Sequence, residues 1–198
     1  RSRGLGDVYK RQVFKGQPNQ ANMEYKMDKG KLYIVDSKKH NIKLVQTSFN
    51  THTDDAAVNG LGYKNALLAI DRQAIFENIH QVQTENNIHL DEELCCKLGV
   101  CQLDVEMETG TGKTYVYIKT MFELNKQYGW TKFIVVVPSV AIREGVKKSF
   151  DITIDHFMEQ YGKKARYFIY DSSSLNDIDT FSQSNDISVM IINTQAFN

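Results

Sequence analysis

The sequence predicts an α/β protein whose second half is layered around a mostly parallel sheet. Phe133-Ile134-Val135-Val136-Val137 is a continuous β-branched run closed by Pro138, the pattern of a strand buried on both faces of a parallel sheet. Tyr167-Phe168-Ile169-Tyr170 and Val189-Met190-Ile191-Ile192 read as two more strands, and segments with helical apolar spacing lie between them. Strand and helix alternate, which implies right-handed crossovers within one layered domain.

Before this region the pattern is less regular and reads as small α+β structure. Tyr25-Lys26-Met27, Asp28-Lys29-Gly30 and Lys31 to Val35 form a hairpin pattern with a short glycine turn. Ile42 and Leu44 alternate with polar residues as in a further strand, and Thr51 to Gly62 reads as a Thr/Asp/Asn/Gly loop. Asp71 precedes a helical stripe of Ile75, Ile79 and Val82, which Asn86-Asn87 ends.

From residue 100 the texture changes. Leu103-Asp104-Val105-Glu106-Met107 alternates and predicts a short strand, followed by a glycine loop from Thr109 to Gly112. A helix then runs from Thr114 to Tyr128 through Ile118, Met121, Phe122 and Leu124, with Gly129 at its left-handed C-terminal cap. Ser139 caps a helix whose apolar face carries Ile142, Val146 and Phe150; Phe157, Met158 and Tyr161 extend the helical pattern to Gly162. The chain divides on this reading into residues 1–12, an accessory region 13–99 and a domain from 100 to 198.

Composition narrows the class. Lys plus Arg and Asp plus Glu number 24 each, so the chain as a whole carries no electrostatic footprint for nucleic acid. Cys95, Cys96 and Cys101 have no C-x-x-C spacing and no histidine partners at zinc spacing, which suits reduced thiols of an intracellular protein. No apolar run reaches the roughly 18 residues of a membrane span, and no secretory signal is visible. The opening RSRGLGDVYKRQ resembles a translated adapter or assembly scar more than a flexible basic terminus, and fold reasoning leaves it out. With no initial Met and a stop just after an apolar run, the chain is expected to be a fragment of a longer protein.

The chemistry concentrates in METGTGKT, residues 107–114. Met107 stands where G-x-x-x-x-G-K-[ST] has glycine, at the strand-to-loop junction, ahead of the groups that face phosphate. Gly110 and Gly112 let the N–H groups of Thr109 to Thr114 turn inward around a phosphate, and the helix start adds partial positive charge there. Lys113 supplies a point charge for the β- and γ-phosphates of ATP, and Thr114 a hydroxyl for Mg²⁺. The acid-tipped strand that should complete such a site is not legible. Ile88 to Glu93 reads as a solvated helix start, and Asp171, Asp177 and Asp179 sit in polar loop sequence.

Val135 to Gly145, including PSVAIREG, resembles the second motif of superfamily-two helicases and translocases, and Ile191 to Phe197 resembles a later one. Residue chemistry alone leaves Ser139 equally suited to an N-cap and Arg143 to an ion pair with Glu144. The wording from Met107 to Gly145 is similar to the ATPase subunit of type III restriction enzymes. That resemblance implies a RecA-like P-loop NTPase domain, incomplete at its C-terminal end, with ATP and Mg²⁺ as cofactors and Lys113 as the catalytic lysine. It further implies backbone contacts to double-stranded DNA through Ser139, Arg143 and Thr194, a methyltransferase (modification) partner subunit, and a bacterial-type cytoplasmic location. The family's adenine-reading glutamine is expected upstream of Val13; Gln73 is not assigned that role. Two other readings stay open: a small-molecule kinase, and a non-catalytic nucleic-acid-binding domain.

Overall fold

The structure, a computed structural model, describes residues 12–28, 31–36, 41–46, 60–95, 101–171 and 175–197. Most of the opening 12-residue stretch, the hairpin turn at 29–30, most of the 51–62 loop and Cys96 lie outside these residues.

An antiparallel sheet comes first. Strands β1 (Met23–Asp28), β2 (Lys31–Asp36), β3 (Asn41–Gln46) and β4 (Gly60–Lys64) form it in the order β3-β2-β1-β4. The predicted hairpin pairs Tyr25 with Ile34 and Asp28 with Lys31. Residues 60–62, expected in a loop, instead form the start of β4, paired with β1. Gly62 faces Tyr25, and a Cβ there would stand 2.5 Å from the Tyr25 hydroxyl. The strand therefore needs a glycine for space, not for a turn.

Helix α1 (Arg72–Glu85) is capped by Asp71, whose carboxylate accepts from Ala74 N at 2.8 Å. Its stripe of Ile75, Ile79 and Val82 is buried and packs with Val13 and the partly buried Leu68, Ile70, Leu94 and Leu103. Residues 88–95 form no helix. Asp91 is instead fastened back onto α1: its carboxylate accepts from Gln83 Nε2 at 2.9 Å, and its carbonyl lies 2.8 Å from His80 Nε2.

The second half is built on a parallel sheet of β5 (Lys132–Val137), β6 (Arg166–Ile169) and β7 (Ser188–Asn193) in the order β5-β7-β6. Helices α2 (Lys113–Tyr128), α3 (Val140–Tyr161) and α4 (Leu175–Gln183) complete it. Phe122, Phe157, Val146 and Phe150 pack against Val137, Val189 and Ile191, forming the main core. Gly129 and Gly162 end α2 and α3 in the left-handed region, as their positions predict.

Four further sequence expectations change here. Leu103 to Met107 forms no strand, because no ladder partner takes it up among the described residues; Leu103 packs on the α1 cluster instead. Strand β5 is not buried on both faces. It is an edge strand, and Ile134 and Val136 on its outer face are 57% and 52% exposed. Ile142 is exposed, so the apolar face of α3 begins at Val146. Asp177 and Asp179 belong to α4, not to a loop.

The two halves are joined by amides. Asn65, one residue past β4, accepts from the N–H groups of Thr131 and Lys132 at 2.8 and 2.9 Å. It also donates to the Lys132 carbonyl at 2.8 Å. Asn19 Nδ2 donates to the Lys126 and Gln127 carbonyls at 3.1 and 3.0 Å, satisfying groups that the end of α2 leaves unpaired. Phe14 meets Tyr128 and Trp130 edge-on.

Candidate functional site

The glycine loop opens α2 as its sequence predicts. Gly110 and Gly112 have φ of +82° and +89°, a region that a side chain enters only with strain. A Cβ at either position would meet nothing within 4 Å. The glycines are thus required for backbone conformation, and the space in front of them is open.

The start of α2 differs from its neighbours. Helices α1 and α3 take side-chain caps from Asp71 and Ser139, whereas Gly112 offers none. Like α1 and α3, α2 has no acidic residue in its first turn, so at its start neither a cap nor a carboxylate offsets the helix dipole. The turn before it is tight: Thr111 N and Oγ1 both donate to the Glu108 carbonyl, at 3.4 and 2.6 Å. Lys113 Nζ folds back across the loop and donates to the carbonyls of Met107 and Glu108 at 2.7 and 2.9 Å. Its ammonium therefore sits over the loop with only neutral carbonyls as partners. Thr114 is half-buried beside Tyr117, one turn along α2. Burial raises the pKa of the Tyr117 hydroxyl, and the Thr114 side chain pulls it the other way.

Beyond Thr114 the helix is clamped to α3. Tyr115 stacks on Phe157 at 5.3 Å, and its hydroxyl lies 2.8 Å from His156 Nε2. Phe157 stacks on Phe122 at 4.8 Å, and Phe122 on Tyr161 at 5.2 Å. This aromatic ladder fixes the direction in which α2 points its first turn.

The other three predicted residues are placed less decisively. The parallel register pairs Val137 with Asn193, so Ser139 and Thr194 follow neighbouring strand ends at one edge of the sheet. Ser139 spends its hydroxyl on Ile142 N at 3.3 Å. Arg143 pairs with Glu144 at 3.2 Å. No hydrogen bond joins these residues to the glycine loop among the described residues. Gln73 bonds along its own helix, to Glu77 at 2.9 Å. Among the described residues no three His, Cys, Asp or Glu side chains gather at metal-binding spacing, and no helix is long and apolar enough to cross a membrane.

Sequence reasoning missed the groups that seat the loop helix from behind, Asn19, Asn65 and Phe14. Single amides in irregular sequence give no periodic signal, so only the fold reveals them.

These features define a mixed α/β protein with a G-T-G-K-T turn opening a helix beside a parallel sheet. Comparison with known proteins narrows it further. Residues 101–198 match the family model described as "Type III restriction enzyme, res subunit". The chain is 40% identical over 123 residues to the type III restriction-modification enzyme EcoP15I Res subunit of Escherichia coli, covering 61% of this chain and 12% of that protein. It is 38% identical over 111 residues to the EcoPI Res subunit of Escherichia phage P1, covering 54% and 11%. A third relative, the StyLTI Res subunit of Salmonella typhimurium, is 40% identical over 101 residues, covering 50% and 10%. Over residues 101–198, about half of its length, the chain is similar to type III restriction enzyme Res subunits. It spans about a tenth of the length of these relatives.

Proposed function

We propose that the chain is the ATP-binding part of a Res subunit that hydrolyses ATP to move along double-stranded DNA and cut it. The described α/β half would be the start of its first RecA-like motor domain, spanning 100–198, with 13–99 as an accessory region and 1–12 not native. The observation that carries the reading is the loop: two left-handed glycines with open space before them, at a helix start that no side chain caps.

The chain's own groups suit a nucleotide phosphate. The N–H groups from Thr109 to Thr114 and the α2 dipole would hold the β-phosphate. Lys113, whose ammonium now bonds only to carbonyls, would exchange them for phosphate oxygens. Thr114 would offer its hydroxyl to Mg²⁺, which when bound neutralises charge on the β- and γ-oxygens. Ser139, Arg143 and Thr194 would touch the DNA backbone, with Arg143 first releasing Glu144. The partner would be the modification methyltransferase subunit, and the assembly would work in the bacterial cytoplasm. Among the described residues no three His, Cys, Asp or Glu side chains come together near the loop in a way that could hold a metal ion. The 198 residues are therefore expected to bind nucleotide without appreciable turnover.

The test is a titration of the 198-residue chain with a fluorescent ATP analogue in Mg²⁺. Loss of one charge-assisted contact is worth about 1.5–3 kcal/mol, so Lys113→Ala should weaken binding roughly tenfold to a hundredfold. Equal affinity for both proteins contradicts the assignment of the loop. DNA-dependent ATP turnover by the 198 residues, lost in Lys113→Ala, contradicts the expected lack of turnover.

A further inference from the structure

A cleft of about 990 Å³ lies at the C-terminal end of α2, a full helix away from the glycine loop. Its rim carries Lys126 from the last turn of α2, Lys163 and Lys164 just past α3, and Arg166 at the start of β6. One carboxylate lines it, Asp186, which pairs with Arg166 at 3.5 Å. Its buried lining mixes apolar Phe122 and Ile187 with polar Asn125 and Thr131.

The positive charge exceeds what the fold itself asks for. Three helix C-termini face this end of the sheet, those of α2, α3 and α4, and each attracts cations with roughly half a negative charge. These dipoles and Asp186 offset somewhat more than half of the four cations, leaving roughly one to two positive charges uncompensated. The excess stands out in a chain with 24 basic and 24 acidic residues. One of the cations is also held in place. Asn125, 6% exposed, donates through Nδ2 to the Trp130 carbonyl at 2.9 Å, which turns its Oδ1 to accept from Lys163 Nζ at 2.9 Å. A buried amide thus fixes a lysine at the rim, where an unheld one would keep its rotamer freedom.

We propose that this cleft is a second nucleic-acid contact, binding the phosphate backbone of DNA at the end of the domain opposite the glycine loop. Single exposed ion pairs are worth little, so a small anion would be held weakly here. A polyanion gathers several contacts at once and gains from counterion release. The choice of DNA among polyanions rests on the functional reading above. The predicted contacts at Ser139, Arg143 and Thr194 lie at the other edge of the sheet. The two surfaces would therefore engage separate stretches of duplex or opposite sides of one.

The experiment is fluorescence anisotropy of a labelled 20-base-pair duplex with the 198-residue chain, across 50–200 mM salt. The variants are Lys163→Gln/Lys164→Gln and, independently, Lys126→Gln/Arg166→Gln. Each pair should weaken binding on the order of tenfold at 100 mM salt and flatten the slope of log affinity against log salt by about two. Both should keep wild-type melting temperature and wild-type affinity for the fluorescent ATP analogue. Wild-type duplex binding by both pairs overturns the proposal, as does an absence of duplex binding by the wild-type chain. Poly-L-glutamate bound as tightly as duplex, through the same lysines, also overturns it in favour of an acidic protein partner. If the wild-type chain ignores the nucleotide yet binds duplex through these cations, the nucleotide reading fails while the cleft stands.

Discussion

Replacing Gly129 and Gly162 by alanine, one at a time, separates backbone strain from the contact that holds the two halves together. Both glycines end helices in the left-handed region, with φ of +79° and +66°. Alanine there costs about 1 kcal/mol in strain. At Gly162 a Cβ meets nothing within 4 Å, so strain is the whole cost. At Gly129 the added Cβ would stand 2.3 Å from the Gln20 carbonyl oxygen and 3.3 Å from Asn19 Oδ1. Relief requires residues 19–20 to move away. That movement breaks the Gln20 N bond to the Tyr128 carbonyl at 3.2 Å and both Asn19 bonds to the end of α2. Three such bonds are worth about 1 kcal/mol each at most, since they are largely exposed. Gly129→Ala should therefore cost about 3–4 kcal/mol in all, against about 1 kcal/mol for Gly162→Ala. Urea unfolding of both variants at a common m-value reads the difference. Removal of residues 1–22 should bring the two costs together. Equal costs in the intact chain would refute the docking of the N-terminal segment on α2.

Further outcomes follow from single side chains. Lys132 Nζ donates to the Phe181 and Ser184 carbonyls and lies 5.0 Å over the Phe181 ring. Burial lowers its pKa to about 8, against the opposing pull of Asp186. NMR of ¹³C-methylated lysines should place the Lys132 midpoint near pH 8, below the roughly 10.4 of a lysine in an unfolded chain; a Lys132 midpoint above 10 contradicts the burial. Between those two values the unfolded chain binds the extra proton, so stability should rise with pH. Solvent screening of a half-exposed group limits the gain to on the order of 1 kcal/mol, and Lys132→Met should abolish it. Phe157 is 1% exposed at the centre of the aromatic ladder, so Phe157→Ala should cost about 3–5 kcal/mol by thermal or urea unfolding. A cost below 1 kcal/mol would mean that the ladder does not fix α2 on α3.

Local chemistry was legible in the sequence wherever one residue type satisfies one backbone requirement. Asp71, Ser139, Gly129 and Gly162 end their helices as cap preferences dictate. The alternation of apolar strands and amphipathic helices likewise gave the parallel sheet. Failures came where the answer depends on neighbours. Leu103 to Met107 has strand periodicity but no adjacent ladder, and its leucine is drawn to α1. Strand β5 has the composition of a central strand, yet β7 takes the centre, because sheet order is a property of the crossovers and not of either strand alone. Ile142 fits the helical stripe but precedes the point where α3 meets the core. In the candidate site, the glycine loop was readable because its residues are contiguous. The cleft cations were not: Lys126 and Lys163 are far apart in sequence, and only the meeting of the α2 and α3 ends brings them together.

Amide hydrogen exchange of the 198-residue chain, with and without ATP and Mg²⁺, tests the central claim most directly. The uncapped first turn of α2 exposes N–H groups that a phosphate would bind. Nucleotide should slow exchange at residues 109–116 and leave the amides of β1 to β4 unchanged, and Lys113→Ala should remove the effect. Protection confined to other segments, or equal protection in Lys113→Ala, would contradict the assignment of this loop as the nucleotide site.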